Sequence, residues 1–107
     1  MKPNYKAPFV SFVKKQHKPF QLAIEDAVED VCAHPDIGEA KTGDLQGIRV
    51  HKFKYQRQEY LMAYRAPTSE ALKRKDARLE LLFIDFYQLG THENFYASLK
   101  KYLKRGV

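Results

Sequence analysis

The sequence predicts a small α+β fold: two N-terminal helices and a C-terminal helix packed on a small antiparallel β-sheet. Three observations carry this expectation. Phe20, Ala23, Ile24, Ala27, Val28 and Val31 recur at helical spacing, the signature of a helix with one buried face. Residues 48–55 and 59–65 are rich in β-branched and aromatic side chains and are separated by Gln56-Arg57-Gln58, which reads as a hairpin. Residues 79–87 are nearly all apolar, as expected of a strand covered on both faces.

The elements follow in order. Phe9, Phe12 and Val13 come after Pro8 at i, i+3, i+4 spacing, so a short helix is expected over about residues 8–17. Pro3 and Pro8 weaken any strand before it. Pro19 suits the first position of the second helix and His34-Pro35 supplies its stop. Residues 36–47 contain Gly38, Gly43, Asp44 and Gly47 and read as loop. The hairpin comes next, then residues 66–77, a polar and basic stretch long for a connection and expected to be mobile. After the apolar strand, Gly90-Thr91 is a break. Phe95, Leu99, Tyr102 and Leu103 mark the last helix, with Thr91 the expected N-cap.

At 107 residues and 44% apolar composition the chain is expected to be one domain, residues 1–107, able to fill one core without staples. The single cysteine, Cys32, excludes an internal disulfide framework and Cys-rich zinc modules. It follows Val28 by four residues, where a small apolar side chain fits the buried side of the helix. No run of eighteen apolar residues exists, so no membrane span or membrane partner is expected. Residues 1–18 carry five lysines but no apolar stretch with a cleavage site, which leaves a cytoplasmic location as the expectation.

The net charge of +6 is unevenly placed. Residues 1–19 carry +5, residues 20–47 carry −6, residues 48–65 carry +4, residues 66–91 are neutral and residues 92–107 carry +3. One acidic segment is thus enclosed by basic ones, as expected if one face meets a polyanion and another does not. The alternative is a set of ordinary solvated faces.

Several chemistries drop out. The four histidines lack metal-ligand spacing, the five glycines form no phosphate-cradling motif, and no serine sits in a nucleophile elbow. No metal or cofactor is expected. Two features remain. Lys52 and Lys54 alternate on the hairpin strand and so share a face, roughly 7 Å apart, with Arg49 on the other face. Such a pair is stable either in open solvent or beside an anion. His92 would lie in the first turn of the last helix if Thr91 caps it, where the macrodipole disfavours the imidazolium and the helix terminus attracts phosphate. A neutral imidazole there can accept or relay a proton. The competing reading is a plain surface histidine.

Three short stretches bring these features together: Gly43-Asp44-Leu45-Gln46-Gly47-Ile48-Arg49-Val50, Glu59-Tyr60-Leu61-Met62-Ala63-Tyr64, and Leu89-Gly90-Thr91-His92-Glu93-Asn94-Phe95-Tyr96. In this order, after two helices and before a closing basic helix, they resemble the RelE/ParE superfamily of bacterial type II toxins, from about Phe12 to Lys104. That resemblance implies helices on a small antiparallel sheet, a cognate acidic antitoxin as partner, and one of two activities. RelE- and YafQ-like members cleave messenger RNA in the ribosomal A site; ParE-like members poison DNA gyrase. Lys52-Phe53-Lys54 resembles the Lys-x-Lys of RelE-like enzymes. His92 and Tyr96 match the histidine after Gly-Thr and the aromatic four residues later in YafQ-like enzymes, and Glu59 matches an acid before their second hairpin strand. Leu61 stands where RelE has an arginine. The resemblance implies an endoribonuclease with His92, Lys52, Lys54 and Tyr96 as catalytic residues and Arg49, Arg57, Arg65 and Glu59 toward substrate, with ribosome and mRNA as partners. A gyrase inhibitor or a non-catalytic RNA-binding domain are the alternatives.

Overall fold

The computed structural model describes residues 1–68 and 83–105. In chain order the elements are β1 (Lys2–Tyr5), α1 (Ala7–Lys14), α2 (Lys18–Ala33), β2 (Glu39–Ala40), a 3₁₀ turn (Gly43–Leu45), β3 (Arg49–Tyr55), β4 (Gln58–Arg65), β5 (Phe83–Gly90) and α3 (Phe95–Lys104). The strands form one sheet in the order β1-β5-β4-β3-β2. β2, β3, β4 and β5 pair antiparallel, whereas β1 joins β5 in parallel. The α+β class holds, but the sheet is mixed rather than purely antiparallel.

Prolines near the starts of α1 and α2 place a missing N–H where no helical bond is needed. α2 ends at His34 because a residue before proline is pushed out of the α region, and His34 has φ −136° and ψ 80°. Both helices cover one face of the sheet. Phe9, Phe20, Ile24, Val28 and Val31 meet Met62, Tyr64, Ile84, Phe86 and Leu89 there. α3 covers the other face, where Phe95 and Leu99 pack on Ile48, Val50, Leu61, Ala63 and Tyr87.

Residues 36–47 are not simply loop, since two of them form β2 on the edge of β3. The hairpin turn is tighter than expected. Gln58 belongs to β4, leaving Gln56 and Arg57 as the two turn residues with φ 48° and 68°. Positive φ at both positions is the type I′ geometry that matches strand twist. β5 contains a bulge opposite the Ala63/Tyr64 step, so Phe86 and Leu89 reach the α1/α2 face while Tyr87 faces α3. The expectations for residues 69–77 and 79–82 lie outside the described residues. Among the described residues no helix is long and apolar enough to cross a membrane.

β1 was unreadable from its composition. All four of its residues are exposed, so no burial pattern marks it, and it is held instead by register contacts. Asn4 Nδ2 donates to Asp85 Oδ1 at 2.7 Å, and Tyr5 stacks on Phe9 with ring centroids 5.2 Å apart.

Candidate functional site

Strand alternation decides which face each hairpin side chain takes. Phe53 and Tyr55 pack toward α1/α2, and Val50 packs toward α3. Lys52 and Lys54 therefore lie on the α3 face, and both are exposed. Register carries the row across the sheet: Lys52 is opposite Leu61, and Leu61 is opposite Gly90. At about 4.8 Å per strand, Gly90 sits roughly 10 Å from Lys52. His92 emerges two residues beyond it, and its ring meets Tyr96 edge-on at 5.8 Å. The hairpin lysines and the His92/Tyr96 pair are thus brought to one edge of one face.

His92 does not lie in the first helical turn. α3 begins at Phe95 behind Asn94, which has φ 60°, and His92 sits in the preceding turn, where its carbonyl accepts the Phe95 N–H at 3.3 Å. Thr91 is not the cap, and the macrodipole argument for His92 does not apply. The reason is packing. Phe95 drops into the α3-side core beside Gly90, with Gln88 Nε2 donating to its carbonyl at 2.9 Å, so the chain must turn before the helix can start.

The remaining candidates divide. Glu59 stands opposite Lys54 in register, both exposed, without an ion pair between them. Arg57 is at the exposed tip of the hairpin. Arg65 lies at the far end of β4, roughly 13 Å along the strand from Leu61, beside Tyr87. Burial raises the Tyr87 phenol pKa, and the Arg65 charge opposes that rise. Arg49 is apart from the others. Its guanidinium donates to the carbonyls of Gly38 at 2.7 Å and Asp36 at 3.2 Å, so it secures the chain between α2 and β2 on the opposite face.

Sequence reading missed Lys41 and Glu39. Lys41 is the lone cation of residues 20–47, and its ammonium lies 5.2 Å from the Tyr96 ring centroid and pairs with Glu39. The available signal was the i, i+2 spacing of two charges in a short extended stretch. Leu61, lying between Lys52 and Gly90, has no exposed surface and presents no charge at the centre of the row.

Lys52, Lys54 and His92 are exposed on this face. Two concavities lie elsewhere: a cleft of about 350 Å³ between α1 and α2, and one of about 480 Å³ around Pro35, Arg49 and Pro67. Among the described residues no three His, Cys, Asp or Glu side chains converge as a metal site.

Two N-terminal helices on one face of a five-stranded sheet and a C-terminal helix on the other make up this α+β fold. The isolated RelE toxin of E. coli has that fold: its crystal structure is similar with a TM-score of 0.57 over 99% of this chain and 98% of that one, at 13% identity. The family model of ParE-like toxins of type II bacterial toxin–antitoxin systems matches residues 5–100, and the chain belongs to that family. It is a type II toxin of the RelE/ParE superfamily, and membership implies a cognate antitoxin. No curated protein matches the chain.

Proposed function

We propose that the chain is a ribosome-dependent endoribonuclease that cleaves messenger RNA in the A site. The observation that carries this reading is the placement of Lys52 and Lys54, exposed and unpaired among the described residues, on the face where His92 and Tyr96 emerge. That arrangement suits attack by a ribose 2′-hydroxyl on its own 3′-phosphorus. The hydroxyl proton passes to a base, the new P–O2′ bond forms, and the P–O5′ bond breaks as its oxygen gains a proton. The products are a 2′,3′-cyclic phosphate and a free 5′-hydroxyl. His92 serves as the general acid or base, and the lysines stabilise the charge that grows on the phosphorane oxygens. Tyr96 contacts the substrate, and Arg57 and Glu59 border its path.

A second reading is favoured by the family model itself, which describes ParE-like toxins. It makes the chain a gyrase inhibitor that binds without catalysis, and the apolar Leu61 at the centre of the row is consistent with it. Purified chain added to ribosomes programmed with a defined message separates the two. Primer extension should find cuts in the A-site codon, and His92→Ala should lower their rate by roughly 10²–10⁴-fold. Uncut message together with inhibited DNA supercoiling would establish the second reading in its place.

A further inference from the structure

β2 is two residues long, yet it and the residue after it put two opposite charges on the cationic face. Glu39 is paired with Val50, which faces α3, and the Lys41 N–H donates to the Ile48 carbonyl at 2.9 Å. Alternation sends both side chains to the same side as Lys52. The Lys41 side chain is 20% exposed and the Glu39 side chain 64% exposed. The ammonium is therefore held in place against Tyr96, while its carboxylate partner is open to water. The hydrogen bond from Lys41, then its charge, hold the Glu39 carboxyl below its ordinary pKa, and Lys52 adds to this from the next strand.

A solvated carboxylate paired with one ammonium group, and within the field of a second, has the charge and the hydrogen-bonding capacity of a phosphodiester oxygen pair. We propose that Lys41 is a nucleic-acid-binding cation of this face, and that Glu39 is its built-in counter-ion, standing where one substrate phosphate binds and displaced by it. Lys41 is already ordered, so a phosphate gains its contact without paying the full rotamer cost of a free lysine. Glu39, once released, returns to water from an exposed strand edge. This inference rests on reading the face as an RNA site, but not on cleavage.

The test is fluorescence anisotropy with a single-stranded oligoribonucleotide carrying 2′-O-methyl groups, which lacks the attacking hydroxyl and stays intact. Glu39→Gln should bind it about two- to fivefold more tightly, the usual worth of an exposed ion pair. Its log K against log salt slope should match the parent's, because Lys41 neutralises the same phosphate in both and a lone carboxylate condenses no counter-ion. Lys41→Gln should weaken binding, and adding Glu39→Gln to it should recover little. Lys41→Arg, which keeps the charge, should retain the parent slope. Equal or weaker binding by Glu39→Gln, with its melting curve unchanged, would overturn the proposal by making Glu39 an anchor for Lys41. Binding by no variant would overturn it as well. Message cleavage with an indifferent Glu39→Gln removes this inference alone; tightening by Glu39→Gln without cleavage removes the nuclease reading alone.

Discussion

Tyr64 has no exposed surface, yet its hydroxyl joins two backbone groups between α2 and β2. It donates to the Pro35 carbonyl at 2.6 Å and accepts the Gly38 N–H at 2.9 Å. Tyr64→Phe keeps the ring but strands both partners, so urea denaturation should show a loss of about 1–3 kcal/mol. A Cβ at Gly38 would stand 2.8 Å from the Tyr64 hydroxyl and 3.0 Å from the Val50 carbonyl carbon. Gly38→Ala should therefore destabilise too, and the double variant should cost less than the sum. His51 offers a pH test. Burial, partly opposed by Asp30, lowers its pKa below the ordinary 6.5. The unfolded chain then binds more protons than the folded one just below pH 6.5, so stability falls as pH drops through that window. Melts across it should show a shallower decline for His51→Gln, and an unchanged slope would exclude His51 as the source. At this scale the sequence disclosed the hairpin lysines because alternation alone assigns their face. It did not disclose Lys41, whose role comes from a ring far along the chain.

The helices and the β3–β4 hairpin were legible because each has a strong local period and proline or polar punctuation. The elements that escaped are those set by tertiary contact. β1 is a four-residue edge strand with every side chain exposed, and β2 is too short to carry any pattern. The start of α3 was misplaced because Thr91 and Asn94 are both capping residues by type, and only the descent of Phe95 into the core chooses between them. The hairpin turn supplies a prediction at this scale. Gln56 and Arg57 both adopt positive φ, which costs roughly 1–2 kcal/mol per non-glycine residue. Arg57→Gly should raise the denaturation midpoint, since glycine takes this conformation freely. If Arg57 borders the RNA path, the same change should weaken oligonucleotide binding alike for all sequences, as loss of a phosphate contact does. A stabilised variant with unaltered binding would take Arg57 out of the interface.

Across the whole molecule the two faces of the sheet differ in charge pattern. The acids Glu25, Asp26, Glu29 and Asp30 of α2 lie exposed over one face, where the exposed Lys14, Lys15 and Lys18 largely offset them. Lys52, Lys54 and the exposed Lys100, Lys101 and Lys104 of α3 belong to the other. The uneven charge seen along the chain thus becomes an asymmetry in space, which is the form a polyanion can read. An antitoxin that silences this toxin by covering the cationic face must offer negative charge to it, in a segment that orders on binding. Two consequences follow for measurement. Expressed without its antitoxin, the chain should arrest bacterial growth, and co-expression of the antitoxin should restore it. The complex should also loosen as salt rises, because the Debye length falls from about 8 Å at physiological ionic strength to about 3 Å at 1 M. Isothermal titration across that range should show affinity falling steadily, with Lys52→Ala and Lys54→Ala each flattening the dependence. The apolar cleft between α1 and α2 provides the contrast, since Tyr5 and Leu22 on its lining are exposed and uncharged. Affinity that held constant or rose with salt would place the dominant contact in apolar burial of that kind, away from the lysine face, which would then remain open in the complex.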